Sequence, residues 1–237
     1  MILLKRLLEA GADERVWPAQ FAFRRKRGTE DALHCARRSI ELAWAHRGGH
    51  LHLLALDWRK AFDSINASSL LQALRKFGIP DPFVEMVRSI YSERSFLVTE
   101  CGITSEQHMQ QSGICQGCPL SPFLFVIVMT VLMDIARKDL SPLAAKAFDD
   151  KRLFDILYAD DTLLLSSSAE KLQRQLELVV DEGRRYGLEL NWKKTLAMRI
   201  GTMQEIKTPN GEAVQTVAQA VYLGGLLCLV RRQQSQR

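Results

Sequence analysis

Apolar residues recur at two different spacings along the chain, and the alternation of these spacings predicts helices alternating with strands. Apolar positions three and four residues apart predict an amphipathic helix over Thr29–Ala45, which Thr29 opens and Gly48 and Gly49 end. The segment Leu51–Leu56, apolar except for His52, is typical of a buried strand. A short helix ending at Gly78 is predicted to follow it.

Proline signatures mark two later helices. Asp81 as a cap, with Pro82 in the first turn, predicts the beginning of one helix. The same signature at Ser121-Pro122 opens the most apolar helix of the chain, which is expected to run to about Lys138. Residues 95–99, which lie between these two helices, predict another strand.

Two apolar runs of β type, residues 153–158 and 162–166, are separated by the spacing of a tight hairpin. Asp160 and Asp161 lie at the predicted tip. A helix that Gly187 ends should follow, with an apolar stripe of Leu172, Leu176, Val179 and Val180. Strands alternating with helices, plus one hairpin, indicate an α/β or α+β sandwich. In it, helices cover one face of the sheet and the other face is free to carry chemistry.

Three carboxylates are candidates for chemistry. Asp57 follows the apolar strand directly, and Asp160 and Asp161 occupy the hairpin tip. If the two places lie on neighbouring strands, the like charges disfavour joint ionisation unless cations neutralise them. Mg²⁺ binds carboxylate and phosphate oxygens, and a pair of such ions serves in-line phosphoryl displacement. The combination indicates nucleotide addition, although each acid taken alone also fits a turn or a strand terminus.

Composition further narrows the classes of protein to which the chain could belong. A chain of 237 residues that is 47% hydrophobic can bury a sizeable core, and its net charge of +5 is compatible with a polyanionic partner. Five cysteines, an odd number, favour a reducing, intracellular setting. Cys115 and Cys118 have the spacing of half a zinc ribbon, but the sequence offers no second pair. The longest apolar stretch, residues 123–133, is shorter than the roughly 20 residues that span a bilayer, and no export signal is seen.

A series of short motifs, in order, resembles those of the reverse transcriptases of non-LTR, LINE-type retrotransposons, to which group II intron enzymes are related. The motifs are residues 20–24 (QFAFR) with 27–32 (RGTEDA), 56–63 (LDWRKAFD), 116–122 (QGCPLSP), 158–161 (YADD), 187–195 (GLELNWKKT) and 222–224 (YLG). The first departs from the family pattern at Ala22, where glycine is usual. Together they cover roughly residues 20 to 225, which is far more specific than YADD alone.

The resemblance implies a fold and a domain plan. It implies an α+β polymerase palm, with an antiparallel sheet and helices on one face, plus partial fingers and no thumb. The expected segments are partial fingers (1–50), the first catalytic strand of the palm (51–67), a connection between fingers and palm (68–112), the main part of the palm (113–200), and a primer-grip-like segment with a truncated C-terminus (201–237). Because the chain ends thirteen residues after Gly224, it is expected to be a fragment, a degraded copy, or one exon of a larger polyprotein.

The same resemblance implies roles for single residues. Asp57 and Asp160 would hold two Mg²⁺ ions, for which Mn²⁺ could substitute, and Asp161 would be a weaker or indirect ligand. Phe62 would be the sugar gate, an aromatic ring that collides with a ribose 2′-OH; otherwise it is a core aromatic. Gln116, with Gly117, would contact the incoming nucleotide and the template; otherwise this segment is a well-capped turn.

Basic residues complete the expected site. Arg24 and Arg27 would contact the triphosphate or template phosphates, although a run of solvated charges would look the same. Lys194 would protonate the departing pyrophosphate, and its neighbour Lys193 is easily confused with it.

The implied function is RNA-directed DNA polymerisation, in which deoxynucleoside triphosphates extend a DNA primer on an RNA template. Neither a membrane nor any particular partner protein is implied. An intracellular location is expected, and the resemblance is compatible with the nucleus, although no targeting signal is seen. Two alternatives stay open at this point. One is a nucleic-acid-binding remnant without catalysis, and the other is a different palm enzyme, either an RNA-copying polymerase or a nucleotide cyclase. Phe62 and the YADD motif disfavour the RNA-copying polymerase, and the full order of motifs disfavours the cyclase.

Overall fold

The computed structural model describes residues 2–110, 112–115, 117–144 and 155–229, and it contains α-helices and antiparallel strands. The helices are α1 (Ile2–Glu9), α2 (Thr29–Ala45), α3 (Ala61–Ser64), α4 (Ala67–Phe77), α5 (Asp81–Tyr91), α6 (Ser121–Ala144) and α7 (Ala169–Arg185). The strands are β1 (Leu51–Leu56), β2 (Ser95–Phe96), β3 (Thr99–Glu100), β4 (Ile103–Thr104), β5 (His108–Met109), β6 (Asp155–Tyr158), β7 (Asp161–Ser166), β8 (Leu196–Ile200), β9 (Gln219–Tyr222) and β10 (Gly225–Cys228). A short 3-10 helix, Ala12–Arg15, follows α1.

The central sheet has the strand order β6-β7-β1-β8, and every neighbouring pair is antiparallel. β6 and β7 form the predicted hairpin, in which Tyr158 pairs with Asp161. β7 then pairs with β1 so that Leu56 faces Thr162. The predicted α+β class with an antiparallel sheet is confirmed, and the register brings the ends of β1 and β7 together.

Alternate residues of β1 enter two separate hydrophobic clusters, one on each face of the sheet. Leu54 and Leu56 pack with α4, α5, α6 and α7, which form the larger cluster. Leu51 and Leu53 pack with α2 and the β9-β10 hairpin. The expectation that the second face is free to carry chemistry is therefore wrong, because α2 and this hairpin cover it. The candidate acids lie instead at one end of the sheet, where β1 stops and the β6-β7 hairpin turns.

Several predicted boundaries agree with the structure and others need correction. The Thr29–Ala45 helix and the Leu51–Leu56 strand are confirmed, and α4 ends at Gly78 as predicted. The apolar helix from Ser121 continues to Ala144, well past Lys138, although its buried residues end at Ala136. Of the predicted strand 153–158, the first two residues lie outside the described residues.

Two local predictions are wrong. Residues 95–99 form no single strand: β2 pairs with β5, whereas β3 pairs with β4, so the chain changes partner between them. Asp81 is the first residue of α5 and not its cap, because the Pro80 carbonyl accepts the first helical hydrogen bond, from the N–H of Val84 at 3.1 Å. The Asp81 carboxylate instead accepts from the Arg75 side chain at 2.9 Å. Pro80 occupies the cap position.

Gly187 follows the end of α7 at a position that only glycine fits. Its φ of +85° lies in the left-handed region, and the N–H of Leu188 donates to the Gly183 carbonyl at 3.0 Å to close the helix. A Cβ at this position would collide with the carbonyl oxygen of Ser64. The turn therefore fixes the approach of the segment after α7 to the chain that follows Asp57.

Gly187→Ala is expected to lower the free energy of unfolding by about 2–4 kcal/mol, because it adds a backbone clash to a left-handed φ. Gly211→Ala is the matched control, since Gly211 has nearly the same φ, +84°, and open space around it. Its cost should stay near 1 kcal/mol. Urea denaturation of both variants checks this, and equal costs would contradict the close approach to Ser64.

Candidate active site

Asp57 is held at the end of β1 by backbone contacts on both sides. Leu56, just before it, pairs with Thr162 of β7. On the other side the N–H of Asn191 donates to the Asp57 carbonyl at 2.8 Å, and the N–H of Arg59 donates to the Glu189 carbonyl at 2.8 Å. The half-buried Asp57 therefore lies between the β6-β7 hairpin and the segment that carries the lysine motif.

Asp160 and Asp161 follow a two-residue turn. Tyr158 and Asp161 close the hairpin, and Ala159 and Asp160 form its tip. Ala159 has a φ of +56°, a left-handed conformation that a residue with a Cβ adopts at a cost. The Asp160 side chain is half-buried and that of Asp161 is exposed at the end of the sheet.

Thr162, which none of the motifs singled out, connects Asp160 to the residue that follows Asp57. Its buried hydroxyl donates to the Asp160 carbonyl at 3.1 Å and accepts from the indole N–H of Trp58 at 3.3 Å. Trp58 directly follows Asp57 in the chain. One sequence signal was present, because a buried tryptophan needs an acceptor for its N–H.

The three acids influence one another electrostatically. Burial raises the pKa of Asp160, and the charge of Asp57 raises it further. Burial, then Asp160, then Asp57 raise the pKa of Asp161 to about 6, even though its side chain reaches the surface. A bound cation would favour the ionised forms of Asp160 and Asp161 and so lower their pKa values.

This set of donors fits magnesium. Within the described ranges no three histidine, cysteine or acidic side chains are arranged as a ready-made metal cage. Mg²⁺ does not require one, because it takes one or two carboxylates from a protein and completes its shell with water and substrate phosphates. Asp57 and Asp160 are the half-buried pair that could hold such ions at the open end of the sheet.

Phe62 lies beside this end of the sheet and is half-buried. Its ring stacks on Phe125 of α6 with a centroid separation of 4.4 Å and an interplanar angle of 15°. Its carbonyl accepts from the N–H of Ile114 at 2.7 Å. The ring predicted as the sugar gate is thus stacked on the helix that begins at Ser121.

The template and nucleotide motif is only partly described. Gln116 lies outside the described residues, and nothing structural is said of it. Gly117 is exposed and has a φ of +84°, and no atom lies near the position of a Cβ, so it is glycine for its backbone conformation. Two residues before Gly117, the Cys115 thiol accepts a hydrogen bond from the Arg94 guanidinium at 2.7 Å.

Arg24 and Arg27 bind the chain just upstream of them. The Arg24 guanidinium donates to the Trp17 carbonyl at 3.3 Å, and that of Arg27 donates to the carbonyls of Pro18 and Gln20, the latter at 3.2 Å. Burial and the nearby charge of Arg27 lower the pKa of Arg24. A guanidinium has five N–H groups, so these contacts use part of its capacity and leave the predicted phosphate role compatible with the structure.

Lys194 is exposed in a turn that ends with its N–H donating to the Asn191 carbonyl at 2.9 Å. Lys193, in the same turn, is equally exposed. The backbone of Asn191 joins this turn to Asp57. The structure thus brings the lysine pair to the side of the first acid and does not separate the roles of the two lysines.

The last motif forms the turn of the β9-β10 hairpin. Leu223 and Gly224 both have positive φ, +50° and +73°, as a tight two-residue hairpin turn requires. The hydroxyl of Tyr222 donates to the Ile156 carbonyl of β6 at 3.2 Å. Burial raises the pKa of this phenol, and the Asp161 charge raises it further, so the hairpin lies close to the acids.

Comparison with known proteins settles the family. Residues 1–225 match the family described as reverse transcriptase (RNA-dependent DNA polymerase). The chain belongs to this reverse transcriptase family. The non-LTR resemblance that the motifs indicated is confirmed by the relatives below.

The reverse transcriptase relatives include proteins of two fly retrotransposons. The chain is 29% identical over 205 residues to the Pol polyprotein from the type-2 retrotransposable element R2DM of Drosophila melanogaster, covering 84% of this chain and 18% of that protein. It is 25% identical over 237 residues to the RNA-directed DNA polymerase from the mobile element jockey of Drosophila funebris, covering 95% of this chain and 25% of that protein. The chain therefore spans about a fifth to a quarter of the length of these two relatives.

Solved structures agree on the fold. The apo telomerase of Candida tropicalis, truncated from its C-terminal domain, has a TM-score of 0.64 at 14% identity, covering 96% of this chain and 42% of that one. Telomerase of the same organism in complex with the TWJ fragment of telomeric RNA has a TM-score of 0.61 at 13% identity, covering 100% and 37%. The likeness supports the predicted polymerase palm. In the part of the reverse transcriptase domain that the structure describes, no helix has the length and apolarity needed to cross a membrane.

Proposed function

We propose that this reverse transcriptase domain adds deoxynucleotides to the 3′-OH of a DNA primer on an RNA template, with two Mg²⁺ ions held chiefly by Asp57 and Asp160. The observation that carries the proposal is the register of β1 with β7, which brings the end of β1 to the hairpin tip. It is supported by the pKa values of Asp160 and Asp161, which burial raises and the nearby charge of Asp57 raises further. The RNA template is inferred from the family and from the RNA complex of the telomerase with the same fold.

The role of each acidic side chain in this proposal follows from its position. When bound, the metal ions would activate the primer hydroxyl and stabilise the charge on the leaving pyrophosphate. Asp57, fixed between β7 and Asn191, and Asp160, fixed through its carbonyl by Thr162, would present their carboxylates without reorganisation. Asp161, exposed beside them, would act as the weaker or indirect ligand.

Other residues would select and orient the substrates. The Phe62 ring, braced by Phe125, would exclude a 2′-OH, and Gln116 with Gly117 would contact the nucleotide and the template. Lys194 would supply a proton to the leaving pyrophosphate from the turn beside Asp57. The fingers, palm and primer-grip segments keep the boundaries predicted from the sequence as part of this proposal.

Arg24→Ala is expected to weaken binding of single-stranded RNA and to make that binding less sensitive to salt. Each phosphate contact on a single strand contributes a slope of about −0.7 to the dependence of log affinity on log salt, so the slope should become less steep by about that amount. Titrations over a range of salt concentrations measure it. Unchanged affinity and slope would remove Arg24 from the phosphate contacts, and Arg27→Ala tests the second arginine in the same way.

The function itself is tested by primer extension. The full chain should extend a DNA primer on an RNA template with deoxynucleoside triphosphates and Mg²⁺, and should stop when a chelator removes the metal. Salt-dependent RNA binding without any incorporation would identify a binding remnant instead. Preference for ribonucleotides over deoxynucleotides would identify an RNA-copying polymerase.

A further inference from the structure

A side chain that does not belong to the acidic cluster contacts the hairpin turn on which that cluster lies. Gln20 is fully buried, with 0% of its surface exposed, although its neighbours in the chain are mostly apolar. Its Oε1 accepts from the N–H of Ala159 at 2.9 Å, and its Nε2 donates to the Ala159 carbonyl at 3.4 Å. The amide therefore pairs with both backbone polar groups of the residue that precedes Asp160.

The orientation of this amide is fixed by a second donor. The N–H of Ala22 also donates to Oε1, at 3.0 Å. Because two N–H groups converge on the same atom, that atom must be the oxygen, and Nε2 must then face the Ala159 carbonyl.

The backbone on either side of Gln20 keeps the amide in place. The N–H of Phe21 donates to the Leu157 carbonyl at 2.8 Å, and the N–H of Leu157 donates to the Ala19 carbonyl at 2.9 Å. Residues 19–21 thus add a short parallel pairing to the free edge of β6. The segment before α2 is in this way joined to the hairpin that carries the acids.

The hairpin tip has two reasons to need such a restraint. Ala159 is held at a φ of +56°, which a residue with a Cβ disfavours. The next two residues are acids, and the pairing of β7 with β1 and β6 brings them to the same end of the sheet as Asp57, where like charges repel. Without a restraint, both effects favour opening of the turn and separation of Asp160 from Asp57.

We propose that Gln20 is a positioning residue that clamps the Ala159 turn and thereby sets the place of the Asp160 carboxylate relative to Asp57. The clamp rests on the proposed function, because it matters through the metal that the acids hold. It acts on the backbone and touches neither substrate nor metal. Outer contacts of this kind change metal affinity or activity by about 10- to 100-fold when removed.

Gln20→Met is the test variant, because methionine fills nearly the same volume and offers no comparable hydrogen bond. Trp17→Phe is the matched control. It removes another buried hydrogen bond from the same segment to β6, the one from the Trp17 indole N–H to Asp155 at 2.9 Å, at the end of β6 remote from the turn. Both variants should lose thermal stability.

Three measurements on the full chain decide the proposal: hydrogen exchange of the Ala159 amide, Mn²⁺ binding by electron paramagnetic resonance, and primer extension over a range of Mg²⁺ concentrations. Gln20→Met is expected to lose Ala159 protection, to weaken Mn²⁺ binding about tenfold, and to require correspondingly more Mg²⁺, with an unchanged KM for the deoxynucleotide. Trp17→Phe should keep wild-type values in all three.

The outcomes are separable. Wild-type Mn²⁺ affinity in Gln20→Met despite lost Ala159 protection would overturn the clamp, as would an equal loss of affinity in Trp17→Phe. If Gln20→Met does not fold, Gln20→Glu replaces it, since its carboxylate still accepts from Ala159; loss of Mn²⁺ binding with protection retained would again overturn the clamp. Mn²⁺ binding that depends on Gln20 in a chain that extends no primer would leave the clamp standing and refute the polymerase proposal.

Discussion

Asp160→Asn is expected to reduce the rate of primer extension on the order of 10³-fold or more, with little change in the affinity for the template and primer. Asparagine keeps the size of the side chain and removes its charge. The site needs that charge, because carboxylates are the ligands that hold Mg²⁺ close to the reacting phosphate. Asp57→Asn should cause a loss of similar size, and Asp161→Asn a smaller one.

Asp181→Asn provides the matched control. Asp181 is an exposed acid on α7 that pairs with Arg184 at 3.2 Å, and it lies on the helical side of the molecule. Its loss should leave extension within about twofold of the wild type, since an exposed ion pair contributes little. Single-turnover assays with saturating primer and template measure the rates. Undiminished synthesis by Asp160→Asn would remove the metal role of this residue.

Phe62→Val should raise the incorporation of ribonucleotides relative to deoxynucleotides by about 10- to 100-fold, which is the range that a steric contact in a substrate pocket provides. The smaller side chain would free the space into which a 2′-OH must fit. Phe62 is suited to this role because stacking on Phe125 holds its ring in one orientation. The predicted gain is specific for the sugar, so the use of deoxynucleotides should fall only modestly.

Phe77→Val is the control for loss of a half-buried phenylalanine. Phe77 lies on α4, where its ring contacts the Arg15 guanidinium at 4.8 Å from the centroid. This variant should change stability and leave the sugar preference as it is. Competition between a ribonucleotide and its deoxynucleotide for the same template position gives the ratio. An unchanged ratio in Phe62→Val would identify Phe62 as a core aromatic only.

Much of the fold could be predicted because the apolar pattern follows burial directly. β1 is apolar except for His52 and has buried residues facing both clusters, and the β6-β7 hairpin was indicated by two apolar runs around a short turn. Asp57 and the hairpin acids stood out because charges at the ends of apolar strands need a counter-charge. The sequence alone could therefore predict which acids belong together.

Other features depended on contacts between distant segments. The pattern of β1 could not show that α2 and the β9-β10 hairpin cover the second face of the sheet. A strand buried on both faces has the same apolar sequence pattern as a buried strand that ends at an open site. Residues 95–99 have strand composition, yet Ser95 and Phe96 pair with Met109 and His108, whereas Thr99 pairs with Thr104, so two separate pairs replaced one strand. Asp81 is of a residue type that often caps helices, but in the structure its carboxylate accepts a hydrogen bond from Arg75.

The contacts that organise the acids were the least predictable. Gln20 is a single polar residue in an apolar segment, a signal that shows an unmet hydrogen-bonding need but not its partner 139 positions away. Threonine is common in strands, so only the contacts of the Thr162 hydroxyl with Trp58 and Asp160 distinguish this residue from others. Sequence patterns identify the groups that do chemistry more readily than those that position them.

The most direct test of the shared magnesium pocket is anomalous diffraction from crystals of the chain with primer, template and a non-hydrolysable deoxynucleotide, grown in Mn²⁺. The account predicts two manganese peaks at the end of β1, in contact with the carboxylates of Asp57 and Asp160 and about 3.5–4 Å apart. Crystals with the nucleotide bound and no manganese peak between these two residues would contradict it.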